Sequence, residues 1–174
     1  MPTRSPAAAR KAVLTVHVVS SVGWLGAVAT YLVLAVLVVT APGVVRVAAL
    51  LEPMRTLVWV VLLPAAVASF LSGLLSSWLS PWGLFRHYWV TVKFGLSLLC
   101  VAVLAMYTQD IQAAVDGASR PRAEGADPAL LSDPSHAVHS AAALVVLMTT
   151  TALAVYKPKG QLPAREARRA AVAR

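Results

Sequence analysis

The residues of this chain that can do chemistry sit in, or at the edge of, long apolar runs. His17 lies about five residues into the first run, and Ser20, Ser21 and Trp24 follow at spacings of three, four and seven. Those spacings put all four on one helical face. An imidazole there can ligate haem or a metal, or carry a proton. The plainer alternative is a histidine hydrogen-bonded near a membrane interface. Lys93 stands one and a half turns into the third run, with Ser97 and Cys100 at spacings of four and seven. A fixed ammonium there can hold a propionate, a quinone oxygen or a lipid phosphate. Equally, its stem can carry the charge about 8 Å back to the surface. His87, beside Arg86, opens the third run at the same end. His17, Trp24, Arg86, His87 and Lys93 are thus the candidate cofactor-binding set. At the opposite end, Asp133, His136 and His139 recur every three residues at the start of the fourth run. One oxygen and two nitrogens at that spacing form a candidate Zn or Cu site. The alternative is a polar first turn lying among lipid headgroups.

The apolar runs must position these groups. Of the 174 residues, 59% are hydrophobic and 13% charged, against about a quarter charged in an ordinary soluble domain. A bilayer core of about 30 Å needs about 20 apolar residues per helix. Four segments meet that: 12–40, 55–80, 88–108 and 136–156. They leave a basic N-terminus (1–11), an outer loop (109–135) and a basic tail (157–174), with no length for a separate soluble domain. The expected fold class is all-α, a transmembrane up-down four-helix bundle, because short connectors make successive helices antiparallel neighbours. The first run is far longer than a signal-peptide core of about 7–15 residues, and reads as an uncleaved transmembrane helix.

The net charge of +8 follows the membrane rather than a nucleic acid. Ten basic residues fall in the two tails and the second connector, and four in the first and third connectors. Lys and Arg favour the cytoplasm, so both termini should be cytoplasmic and the third connector outside. Ser132-Asp133-Pro134 predicts a helix start with Asp133 as N-cap. Pro64 predicts a kink in the second helix. Ala65, Ser69, Gly73 and Ser77 form a small-residue stripe that lets a neighbouring helix approach closely. In the stretch WLSPWGLFRHYWVTVKF (residues 78–94), Pro81 and Gly83 predict a tight turn. Trp78, Trp82, Tyr88 and Trp89 flank it as an aromatic anchor at headgroup depth.

No Gly-rich phosphate loop, zinc-protease motif or nucleophile elbow is present. None of the four cores holds an acidic residue, which argues against a proton-coupled transporter. The single cysteine, Cys100, forms no internal disulfide and reads as a packing residue.

HVVSSVGWLGAVATYLVLA (17–35) and SPWGLFRHYWVTVKFGLSLL (80–99) resemble a family of small, uncharacterised four-helix membrane proteins of bacteria, particularly actinobacteria, of the domain-of-unknown-function 2269 kind. The resemblance implies a membrane protein and no known activity. A fainter likeness is to the copper-resistance D group and to the membrane protoporphyrinogen oxidases, which bind haem b. It rests on an early-helix histidine followed by Trp-x-Gly, here His17 and Trp24-Leu25-Gly26, and on a lysine early in the third helix, here Lys93. The expected function is a non-enzymatic multi-pass integral membrane protein of the inner (plasma) membrane, acting as a bundle or as a subunit of a complex. Its partners would be the lipid bilayer and copies of itself or other chains, not nucleic acid. The alternative is a haem b- or copper-linked redox or metal-handling protein using His17 with Lys93 and His87.

Overall fold

The computed structural model describes residues 6–79, 87–118 and 133–157. Among these, five α-helices and one π turn make four spans. Helix α1 is Pro6–Thr40. Helix α2 (Val44–Leu57), a π turn (Val58–Leu62) and α3 (Leu63–Trp78) form one continuous second span. The third span is α4 (Tyr88–Ala118) and the fourth is α5 (Ser135–Tyr156). All four are long and apolar enough to cross a membrane. Each span packs against the next and the fourth closes on the first, with α1 against α3 and α5, and α4 against α2, α3 and α5. That is the expected four-helix bundle. Its outer surface carries exposed Val on every span, with Leu on the first three and Met on the last two, as lipid contact requires.

The second span begins eleven residues earlier than composition suggests, at Val44 rather than residue 55. Arg46, Glu52, Pro53 and Arg55, read from the sequence as connector, lie inside α2. The turn before it needs Gly43, whose φ of 82° is strained for any residue with a side chain. Arg55 pairs with Glu52 one turn away on the exposed face of α2, while Val47, Leu51 and Met54 are fully buried on the other. Helix α4 runs on to Ala118, one residue past Gly117.

Pro64 is accommodated by the π turn immediately before it. Proline has no N–H, and its ring crowds the carbonyl four residues back, here that of Val60. Widening this turn separates the two. It also keeps the buried face straight. Met54, Val58, Leu62 and Ala66 are all buried, three successive steps of four. Each such step overshoots a regular helix by about 40°, and a turn wider than α takes up the excess.

Of the aromatic residues round the second connector, Trp78 is 71% exposed and Tyr88 is exposed. Trp89 is buried against the bundle and does not join the surface anchor. Pro81, Trp82, Gly83 and Arg86 lie outside the described residues.

Candidate functional site

At the end of the bundle that holds the α1 N-terminus, His17 meets the small-residue stripe of α3. Its Nδ1 is 3.0 Å from the Ser69 carbonyl and 3.3 Å from Ser72 Oγ. A carbonyl only accepts, so Nδ1 carries the proton and donates. One turn further on, Ser21 and Ser69 share a 2.7 Å hydroxyl–hydroxyl bond. Gly73 is what lets the helices come this close: a Cβ there would stand 2.8 Å from His17 Cε1. Ser20 turns away and bonds the backbone of its own helix. Lys93, half-buried on α4, lies near enough to act on His17 electrostatically. Among the described residues it has no ion-pair partner. His87 precedes α4, where its carbonyl accepts from the N–H groups of Val90 and Thr91 and its ring lies 6.4 Å from that of Trp89.

Trp24 does not belong to this end. It is buried two turns deeper and forms a wall of a cavity of about 180 Å³ in the other half of the bundle. Trp24, Val28, Tyr31, Val58 and Leu62 make the cavity floor, and every one is buried. The rim is formed by α4 and α5, and the exposed lining residues Leu99, His139 and Ala142 all belong to these two helices. The cavity therefore opens sideways between α4 and α5, towards the lipid. Among the described residues, no lysine, arginine or carboxylate lines it.

Its polar atoms gather at one edge. His136, 4% exposed, sits with Nδ1 3.0 Å from the Tyr31 hydroxyl. The Tyr107 ring meets His136 edge-on, with centroids 5.8 Å apart. The Tyr107 hydroxyl lies 2.6 Å from His139 Nδ1 and 3.0 Å from Nε2, and His139 Nδ1 donates to the Ser135 carbonyl at 2.7 Å.

The sequence-predicted metal ligands have other engagements. Asp133 caps α5 as a two-residue turn, accepting from the Ser135 N–H at 2.8 Å and the Ser135 hydroxyl at 2.5 Å. His136 faces Tyr31 and His139 faces Tyr107. Among the described residues, no group of three His, Cys, Asp or Glu side chains stands close enough to hold a metal ion. The N-cap role falls to Pro134 by backbone geometry, but Asp133 supplies the capping oxygens. The Ser135 hydroxyl and N–H hold the Asp133 carboxyl below the usual carboxylate range. A carboxylate stabilised in this way contributes in full above its unfolded pKa, and loses that contribution as pH falls through the lowered folded value. Thermal unfolding of wild type and Asp133→Asn is thus expected to differ at neutral pH and to converge in acid.

Tyr31 and Tyr107 are the site residues that the sequence reading passes over. The signal was present. His17, Trp24 and Tyr31 recur every seven residues on α1, and Lys93, Cys100 and Tyr107 do the same on α4. The two series face one another at matched depths, in layers about 10 Å apart: Lys93 acts on His17, Trp24 and Cys100 line one cavity, and Tyr107 acts on Tyr31. The lower layer is charged, the middle one apolar and the upper one phenolic. Comparison with protein-family models, with curated proteins and with solved structures gives no match.

Proposed function

We propose that this chain is a non-enzymatic multi-pass protein of the inner membrane, both termini cytoplasmic, that takes up a small lipophilic molecule from the bilayer. The observation that carries this reading is the cavity between α4 and α5. It is apolar, floored by buried side chains and open at membrane depth. A dry cavity of about 150 Å³ already holds one benzene, so about 180 Å³ suits one or two rings. In detergent, naphthalene is expected to raise the unfolding temperature of the wild type. Ala143→Phe, which puts a ring into the cavity from α5, is expected to abolish the shift. No shift in the wild type would sink this reading.

A second reading is favoured by one observation at the other end. His17 donates Nδ1–H to a carbonyl, the arrangement that orients an imidazole whose Nε2 ligates a metal. His17 would hold the iron of a haem b and Lys93 a propionate, and the haem would supply electron transfer. Copper fits less well, because the Lys93 ammonium opposes a second cation beside His17. A Soret band in the purified protein, lost in His17→Ala, is the expected result under this reading. Its absence after expression with added haem rejects it.

A further inference from the structure

We infer that the cavity selects a ring bearing a carbonyl oxygen, the headgroup of a membrane-dissolved quinone, and that His136 Nε2–H is the group that recognises it. The inference rests on the cavity being a ligand site, as proposed above, and deepens that reading.

Size and charge narrow the ligand first. A fused sterol or a porphyrin is several times larger than the single ring held by about 150 Å³, and neither fits a cavity of about 180 Å³. A fatty acid or phosphate headgroup needs a cation, and the lining has no lysine or arginine among the described residues. The fixed charges that act on His136 are those of the Asp133 and Asp110 carboxylates, with the His139 ring beside them, and the carboxylates repel an anion. A neutral ring remains. Trp24, Tyr31 and Tyr107 supply aromatic walls for it.

Hydrogen bonding then decides what the ring carries. The Tyr31 hydroxyl is buried, and its partner is His136 Nδ1. Among the described residues the Tyr31 hydroxyl proton has no acceptor other than Nδ1, so we assign Tyr31 O–H as the donor to Nδ1. A neutral imidazole has one proton, and that proton is then on Nε2. Among the described residues, Nε2 has no hydrogen-bond partner. Yet among the described residues no sealed side-chain nitrogen or oxygen is left unpaired. Nε2 therefore opens onto space, and the space that His136 lines is the cavity. The cavity thus presents a fixed N–H donor at its polar edge, 4% exposed as a residue and waiting for an acceptor. A quinone carbonyl is an acceptor only. A hydrocarbon ring offers none.

The test compares 2,3-dimethyl-1,4-naphthoquinone with 2,3-dimethylnaphthalene on the purified full chain in lipid nanodiscs, by isothermal titration. The methyl groups block addition of Cys100, which also lines the cavity, to the quinone ring. The quinone is expected to bind about tenfold tighter, the effect of one hydrogen bond to a desolvated donor. In His136→Phe that gap is expected to close while the hydrocarbon still binds, which also shows that the variant is folded. Tyr31→Phe, which frees the tautomer, is expected to narrow it. Equal binding of the two ligands by the wild type overturns the quinone assignment and leaves the lipophilic site standing. A gap that persists in His136→Phe overturns the role of His136. Binding of neither ligand overturns both the assignment and the site.

Discussion

Gly73→Ala is expected to destabilise the bundle by about 1–3 kcal/mol, the usual cost of overpacking a close contact. It would do so although alanine favours a helix by about 1 kcal/mol over glycine. The added Cβ would meet His17 at 2.8 Å from Cε1 and 3.2 Å from Nδ1. The ring cannot swing clear without leaving the Ser69 carbonyl and the Ser72 hydroxyl. The same reasoning fixes the sign of the coupling. In a His17→Ala background the clash is gone, so Gly73→Ala should become neutral or stabilising. Unfolding of the four proteins of this double-mutant cycle in detergent measures the interaction directly. A penalty for Gly73→Ala that is the same in both backgrounds would show that His17 does not rest on Gly73.

His136→Ala is the second large effect, and it should exceed that of Tyr31→Phe. Removing the imidazole strands a buried phenol hydroxyl, at about 1–3 kcal/mol, and also loses ring packing against Tyr31 and Tyr107. Removing only the Tyr31 hydroxyl leaves an imidazole that can still turn its nitrogens to the cavity, and should cost about 1 kcal/mol. Replacing both, as Tyr31→Phe with His136→Phe, removes donor and acceptor together and should cost less than His136→Ala alone. Equal losses for His136→Ala and Tyr31→Phe would mean that neither the stranded hydroxyl nor the ring packing adds to the cost of losing the 3.0 Å contact.

The bundle was legible because the bilayer imposes it: four long apolar runs allow few other folds. So was the small-residue stripe through Ser69 and Gly73, since small residues every four positions mark a close helix contact, but not that His17 and Ser21 are what meet it. The start of α2 was not legible. Arg46, Glu52 and Pro53 look like a connector by composition, whereas a buried face of Val47, Leu51 and Met54 decides in favour of helix. The grouping of candidate residues was legible only in part. His17 and Lys93 do share one end, but Trp24, on the same face as His17, belongs to the cavity. A helical face says which way a side chain points and not how deep its partners lie. Asp133, His136 and His139 have a ligand-like spacing, yet spacing on one helix is blind to the tyrosines of α1 and α4 that engage the two histidines. Tyr31 and Tyr107 complete the two seven-residue series that stop, in a reading limited to ionisable groups and their polar neighbours, at Trp24 and Cys100.

The wide turn at Val58–Leu62 has a consequence for how this molecule can vary. It acts as a phase joint. After it, Ser69 and Gly73 keep their register with His17. The turn itself supplies Val58 and Leu62 to the cavity floor, and α2 before it keeps its own buried line. Because the joint absorbs one residue's worth of rotation, the two halves of the second span are indexed separately. A change in the cavity floor need not turn the His17 seam, and a change in the seam need not turn the cavity floor. One chain thereby carries two compartments, stacked along the membrane normal, that can drift in sequence independently.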